Sequence, residues 1–246
     1  MLFNFVFYLK FIIFLKNYKF KNKKMDYNVK LTGEQLIENY NKLISYIEYC
    51  DEKQKEPLRN MYEDLSEQIV VASAASMKQF HGAYPGGYVI HVLNVIKYSI
   101  ELYKLWKKMD ADMTGYSQSE LIFSALNHDL GKIGKKDIDY YIKNESEWHR
   151  TNQGKFYTNN PKLSNIPHEE RSILTLVEYG VPFSEQEYIA IRTHNGPLMD
   201  ANKSYWNLSF DKSKEFKTNL PIIIHYADFM AYRIEIEKEG ILKPFK

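Results

Sequence analysis

His128 and Asp129 stand side by side in Leu121-Ile-Phe-Ser-Ala-Leu-Asn-His-Asp-Leu-Gly-Lys-Ile-Gly134, where an apolar helix runs out. Neighbours on a helix point about 100° apart, so both side chains reach one ligand only where the ligand lies between them. Gly131 and Gly134 allow the backbone to turn tightly away just afterwards. Taken alone, the pair also reads as a helix C-terminus with a histidine suited to the dipole and a solvated aspartate. Further residues of the same chemistry stand elsewhere. His91 is embedded in Gly87-Tyr-Val-Ile-His-Val-Leu-Asn-Val-Ile96, and Asp228 in Pro221-Ile-Ile-Ile-His-Tyr-Ala-Asp-Phe-Met-Ala-Tyr232. His168 and His194 fall at other helix ends. An ionised aspartate in a buried helix is costly unless paired or bound to a metal. Neutral imidazoles with carboxylates suit divalent transition metals, so several such residues on apolar segments favour a shared ion over isolated core polar groups.

The order His91, His128-Asp129, Asp228 resembles the HD-domain metal-dependent phosphohydrolases, over roughly residues 75–237. The stretch His128-Asp129-Leu130-Gly131-Lys132 matches the branch with His-Asp-x-Gly-Lys. His81-Gly-Ala-Tyr-Pro-Gly-Gly-Tyr-Val-Ile-His91 looks like the start of YhaM-type 3′–5′ exoribonuclease and relaxase-associated members, departing at Ile90, where many relatives have Glu.

The resemblance implies an all-α fold, a single HD-domain helical bundle, with His91, His128, Asp129 and Asp228 holding one metal. His168, about forty residues after the pair, and His194 would complete a second site with Asp129 bridging. The alternative is one metal, with both histidines contacting substrate phosphate. Mn, Fe, Co, Ni and Mg all remain open. The implied chemistry is attack of metal-bound hydroxide on a phosphate ester or phosphodiester, with Asp129 orienting the water or taking its proton. Lys132 resembles the family's phosphate-side lysine, and Arg171 and Arg192 are further candidates for phosphate oxygens. The expected substrate is a nucleotide or short single-stranded nucleic acid, since no nucleic-acid-binding module accompanies the domain. A non-catalytic metal- or nucleotide-binding sensor is the competing reading.

Between the His-Asp pair and His168, residues 139–165 read as a small hairpin or loop insertion hanging over the site. Trp148, Arg150, Lys155 and Tyr157 would stack a base or hold a phosphate. The alternative is a surface excursion pinned by its own tryptophan. His149 and His225 read as structural.

Composition fits this enzyme class. The 246 residues are 44% hydrophobic and 26% charged, as expected of a chain with a sizeable core. The net charge of +2 argues against binding long duplexes by charge alone. The single cysteine, Cys50, excludes an intramolecular disulfide and suits a reducing, cytoplasmic setting.

The expected division is 1–24, 25–74 and 75–240. Residues 1–24 form an apolar, then lysine-rich extension: an over-extended frame with its true start at Met25, a membrane-associating anchor, or a helix packed on the domain. Residues 25–74 carry N-terminal helices that pack on the HD domain of 75–240. Thr32-Gly-Glu-Gln35, Ser117-Gln-Ser-Glu120 and Ser184-Glu-Gln-Glu187 read as helix-starting capping boxes. Pro57 suits the first turn of a helix carrying Leu58 to Val70, Gly180 suits the end of the His168 helix, and Asn219 and Pro221 open the helix carrying Asp228.

Overall fold

The computed structural model describes residues 30–206 and 215–241. The extension at 1–24, with its three readings, lies outside them. Among the described residues helix dominates, with two small antiparallel sheets of two strands each.

All three expected capping boxes form. Thr32 and Gln35 start α1 (Gly33–Ser45), Ser117 and Glu120 start α5 (Gln118–Asn127), and Ser184 and Glu187 start α8 (Glu185–Thr193). In each, the side chains satisfy backbone donors that the first helical turn leaves without partners. Pro57 is a correction. The second helix, α2 (Glu52–Asp64), begins earlier, at a capping box made by Asp51 and Gln54, and Pro57 lies inside it. The chain then breaks at Leu65, so Ile69 and Val70 belong to a separate short helix, α3 (Ser66–Val71). The apolar spacing is right for both because the break costs the core nothing: Leu58, Met61, Tyr62, Leu65, Ile69 and Val70 are all buried.

Two long helices form the spine. The first is α4 (Gly87–Lys108), and it packs against α10 (Leu220–Lys238). On α10, Leu220, Ile223, Ile224, Ala227 and Ala231 recur at helical spacing and are fully buried. Each fully buried Leu or Ile contributes about 1.5–3 kcal/mol. Helix α5 packs on α4 and on α8, and α8 packs on α10. A single hydrophobic cluster runs from Leu36 to Ala231, so the helices of 25–74 share one core with the rest.

The segment at 139–165 differs from a plain hairpin. Strands β1 (Gly134–Lys135) and β2 (Ile138–Asp139) make one small sheet. Strands β3 (Tyr141–Lys143) and β4 (Tyr157–Asn159) pair antiparallel, but between them stands a short helix, α6 (Glu147–Gln153). Ser146 caps its start and Gly154 ends it in the left-handed conformation. The insertion is fastened to the chain before His81: Tyr157 N donates to Ser76 O at 3.0 Å, and Lys78 N to Gly154 O at 2.7 Å. Helix α7 (His168–Glu178) follows and ends at Gly180, whose φ is 65°. A short helix, α9 (Lys203–Trp206), precedes the undescribed stretch 207–214. No helix among the described residues is long and apolar enough to cross a membrane.

Candidate metal centre

Helices α5 and α8 each end on a histidine, His128 and His194 respectively, in the C-cap position. Their starts are tied together: Ser184 Oγ donates to Glu120 Oε1 at 2.6 Å, joining one capping box to the other. Their ends converge, with the two imidazoles edge to face, ring centres 5.0 Å apart. The chain leaves helical geometry at Asp129 (φ −105°, ψ 10°) and enters a 3₁₀ turn over Leu130–Ile133. That change of direction lets Asp129 point inward beside His128. Gly131 is required there, because a Cβ would lie 2.0 Å from the carbonyl oxygen of His168. Ser172 of α7 locks the turn: its Oγ accepts from Gly131 N at 2.8 Å and is 3.0 Å from the His128 and His168 carbonyls.

His91 comes from the second turn of α4, Asp228 from the middle of α10, and His168 from the first residue of α7. All six meet. His91 Nε2 is 3.0 Å from Asp228 Oδ1, and His128 Nε2 is 4.0 Å from the same oxygen. Asp129 Oδ2 lies 3.6 Å from His91 Nε2 and 3.5 Å from His128 Nε2. Asp129 Oδ1 lies 3.2 Å from His168 Nε2 and 3.5 Å from His194 Nε2. The two oxygens of Asp129 thus divide four histidines between them.

The proton positions are constrained. His128 Nδ1 and His194 Nδ1 lie 2.8 and 2.7 Å from the carbonyls of Ala125 and Ile191, and a carbonyl only accepts. His91 Nδ1 faces Glu235 Oε2 at 3.0 Å, another acceptor. In the neutral rings each Nε2 is therefore a lone pair turned toward carboxylate oxygens. His91 Nε2, His128 Nε2 and Asp129 Oδ1 are buried and make no hydrogen bond, despite their short contacts. Lone pairs face lone pairs, an arrangement that a cation at the centre relieves. The donor set of nitrogens and carboxylate oxygens fits a divalent ion. Ligand atoms of His91, His128 and Asp228 lie within 4.8 Å of one another, as do those of His128, Asp129 and His194.

The electrostatics agree. Burial opposes a charge on His91, yet Glu235 and Asp228 push it up to about 10. Burial likewise opposes ionisation of Asp129, but Lys132 and His128 hold it well below the usual carboxylate range. Asp228 is also held low against burial, chiefly by His91. The cluster stabilises positive charge at its centre, which protons or a metal ion can supply.

The residues expected to bind substrate are less uniform. Lys132 is not displayed for a phosphate: it is largely buried and its Nζ pairs with Asp129 Oδ2 at 2.6 Å. The 3₁₀ turn puts positions three apart on one side, which carries Lys132 inward. Arg192 is already neutralised, 3.1 Å from Glu170 and 3.8 Å from Glu169, and donates to Asn202. Arg150 braces the insertion through Asn144 O at 2.6 Å. Trp148 is exposed on α6 against His149, and Tyr157 packs near Tyr141. Arg171 is fully buried, with Nη2 donating to Ser164 O at 2.7 Å. His225 supports the centre from outside, its Nδ1 2.7 Å from the His194 carbonyl. Cys50 is buried, and burial raises its thiol to about 12, which suits no catalytic role.

Sequence reasoning missed Glu235. It is buried, backs His91, and accepts from Asn94 Nδ2 at 2.6 Å. The signal was available: it lies seven residues after Asp228, two turns along one face. His81 packs on His91 with ring centres 4.3 Å apart, and burial lowers it to about 2, so it is neutral. No family model, curated protein or solved structure matches this chain.

Proposed function

We propose that this chain is an HD-type metal-dependent phosphohydrolase acting on the phosphate ester or phosphodiester of a nucleotide or short single-stranded nucleic acid. One observation carries the reading: the two oxygens of the buried Asp129 face two pairs of histidine Nε2 atoms. His91, His128, Asp129 and Asp228 would hold one ion, and Asp129, His168 and His194 a second. Divalent ions held so lower the pKa of coordinated water and neutralise charge developing on phosphate oxygens.

The residues have separable tasks. Lys132 keeps Asp129 ionised, so the carboxylate remains available to orient a water or accept its proton. Glu235 and the two backbone carbonyls hold the imidazoles in the tautomer that presents Nε2. His168 and Asp228, with side chains 22% and 20% exposed, are the members of the cluster open to an incoming phosphate. Phe229, next to Asp228, is exposed, and Tyr232 lies beyond it with ring centres 6.5 Å apart. These rings offer a stacking surface for a base, which supports a nucleotide substrate.

The test is metal content per chain together with hydrolysis of bis-p-nitrophenyl phosphate, for the wild type and for Asp129→Ala. Two ions per chain and Mn-stimulated turnover, both lost in the variant, are expected. Metal bound without turnover of this or any nucleotide would replace the enzyme by a sensor. A chain that binds no metal would overturn the proposal.

A further inference from the structure

Arg171 is buried to 1% exposure, and among the described residues only one of its three guanidinium nitrogens has a partner. Nε and Nη1 make no hydrogen bond to any described residue. Among the described residues no carboxylate lies within ion-pair distance of it, although Glu169 and Glu170 stand two and one residues away and both lie near Arg192. A buried cation without a counter-charge is costly, and a guanidinium has no low-energy route to neutrality. Its surroundings suit an anion. The guanidinium carbon lies 5.9 Å from the ring centre of Tyr140, a half-buried residue. The carbonyl that holds Nη2 belongs to Ser164, an exposed residue. Arg171 is also one turn along α7 from His168, against the Gly131 turn.

We propose that Arg171, with the hydroxyl of Tyr140, forms an oxyanion subsite beside the histidine cluster that takes a phosphate group. Each bidentate edge of the guanidinium includes Nη2, which keeps a second N–H beside the one given to Ser164 O; paired with Nε–H or Nη1–H, it matches two oxygens of one phosphate, and the tyrosine hydroxyl would supply a third hydrogen bond. Such a subsite would hold a phosphate other than the one being cleaved. The anion is either a second phosphate of the substrate or free inorganic phosphate. Its link to a substrate rests on the proposed function, but its existence does not.

The experiment uses the full chain with ¹⁵N-labelled arginine, stripped of metal by chelation and titrated with inorganic phosphate. The chain has five arginines, so the Nε–H signal of Arg171 is assigned by its loss in Arg171→Lys. The expected result is a saturating shift of that signal without metal. Thermal protection by phosphate should be present in the wild type and reduced at least about tenfold in apparent affinity in Arg171→Met and, more weakly, in Tyr140→Phe. Should Arg171→Met fail to fold, the wild-type titration still decides. Thymidine 5′-phosphate shifting the signal at lower concentration than inorganic phosphate would make the substrate the source; equal or weaker binding would make it free phosphate. An Arg171 signal that does not move, with phosphate binding only after Mn²⁺ is added, overturns the subsite and leaves the metal reading standing. A shift in a chain that never binds metal keeps the subsite and removes the phosphohydrolase.

Discussion

The two sides of Asp129 are built differently. On the Oδ2 side, His91 is 1% exposed and its Nδ1 meets Glu235 at 3.0 Å, with Glu235 itself fixed by Asn94 at 2.6 Å. On the Oδ1 side, His168 is 22% exposed and its Nδ1 lies 3.4 Å from Glu169, beyond a good hydrogen bond. Asn195 Nδ2 approaches the same imidazole at 3.4 Å. The most firmly supported ligand, His91, thus stands on one side, and the most loosely supported and most exposed histidine, His168, on the other. Ligand preorganisation sets metal affinity, so the Oδ2 side should hold its ion more tightly and the Oδ1 side should be where a ligand exchanges.

Removing the shared element erases the comparison and should have the largest effect. Asp129→Ala is expected to lose both ions and to lower hydrolysis by about 10³-fold or more, read by elemental analysis and by initial rates. The next variants separate the sides. His91→Ala should abolish the tight ion, whereas His168→Ala should leave one tight ion per chain, counted by calorimetric titration with Mn²⁺. Equal losses in the two variants would show that the sides act as one site.

Smaller still is the effect of the supports. Glu235→Gln should weaken the tight ion by about 10–100-fold, because a carboxylate behind a ligating imidazole raises its basicity and fixes its orientation. Glu169→Gln should change the weaker ion by less than about threefold, since its contact is already long.

The smallest effect concerns only the frame. Burial raises Glu187 to about 7, against the donors Gln54 Nε2 and Ser184 N. The folded chain therefore keeps a proton that the unfolded chain has released, and stability should fall as pH rises from the ordinary glutamate range through about 7. Glu187→Gln keeps the capping geometry and should flatten that slope by a few degrees in thermal melts at about pH 5 and about pH 8. An unchanged slope would assign it to other groups.

Much of the helical frame was legible because its signals are local. Three capping boxes, the apolar spacing of α10 and the glycine after α7 each involve residues within a few positions of one another. The same kind of signal marked α6, with Ser146 before it and Gly154 after it, but its seven residues were hidden among polar turn formers. The Asp51–Gln54 box is equally local, but Pro57, three residues after Gln54, is a competing start signal in the sequence. The candidate ligands were legible by chemistry, since histidines and aspartates on apolar helices need partners. Their supports were less so: Glu235 sits in a charged stretch, Arg233-Ile-Glu-Ile-Glu-Lys238, that reads equally well as a solvated face.

The sequence by itself determined the helical character, several of the places where helices begin, and six residues with metal-ligand chemistry. These follow from backbone hydrogen bonding and side-chain type, which act within a turn or two. Only the tertiary structure decided how those residues face one another. It divided the oxygens of Asp129 between two pairs of histidines, turned Lys132 inward, neutralised Arg192 and left Arg171 buried without a counter-charge. Apart from Lys132, whose partner is three residues away, each outcome depends on segments tens of residues or more apart. Packing of the helices, and not any local preference, sets the direction in which a donor or a lone pair points.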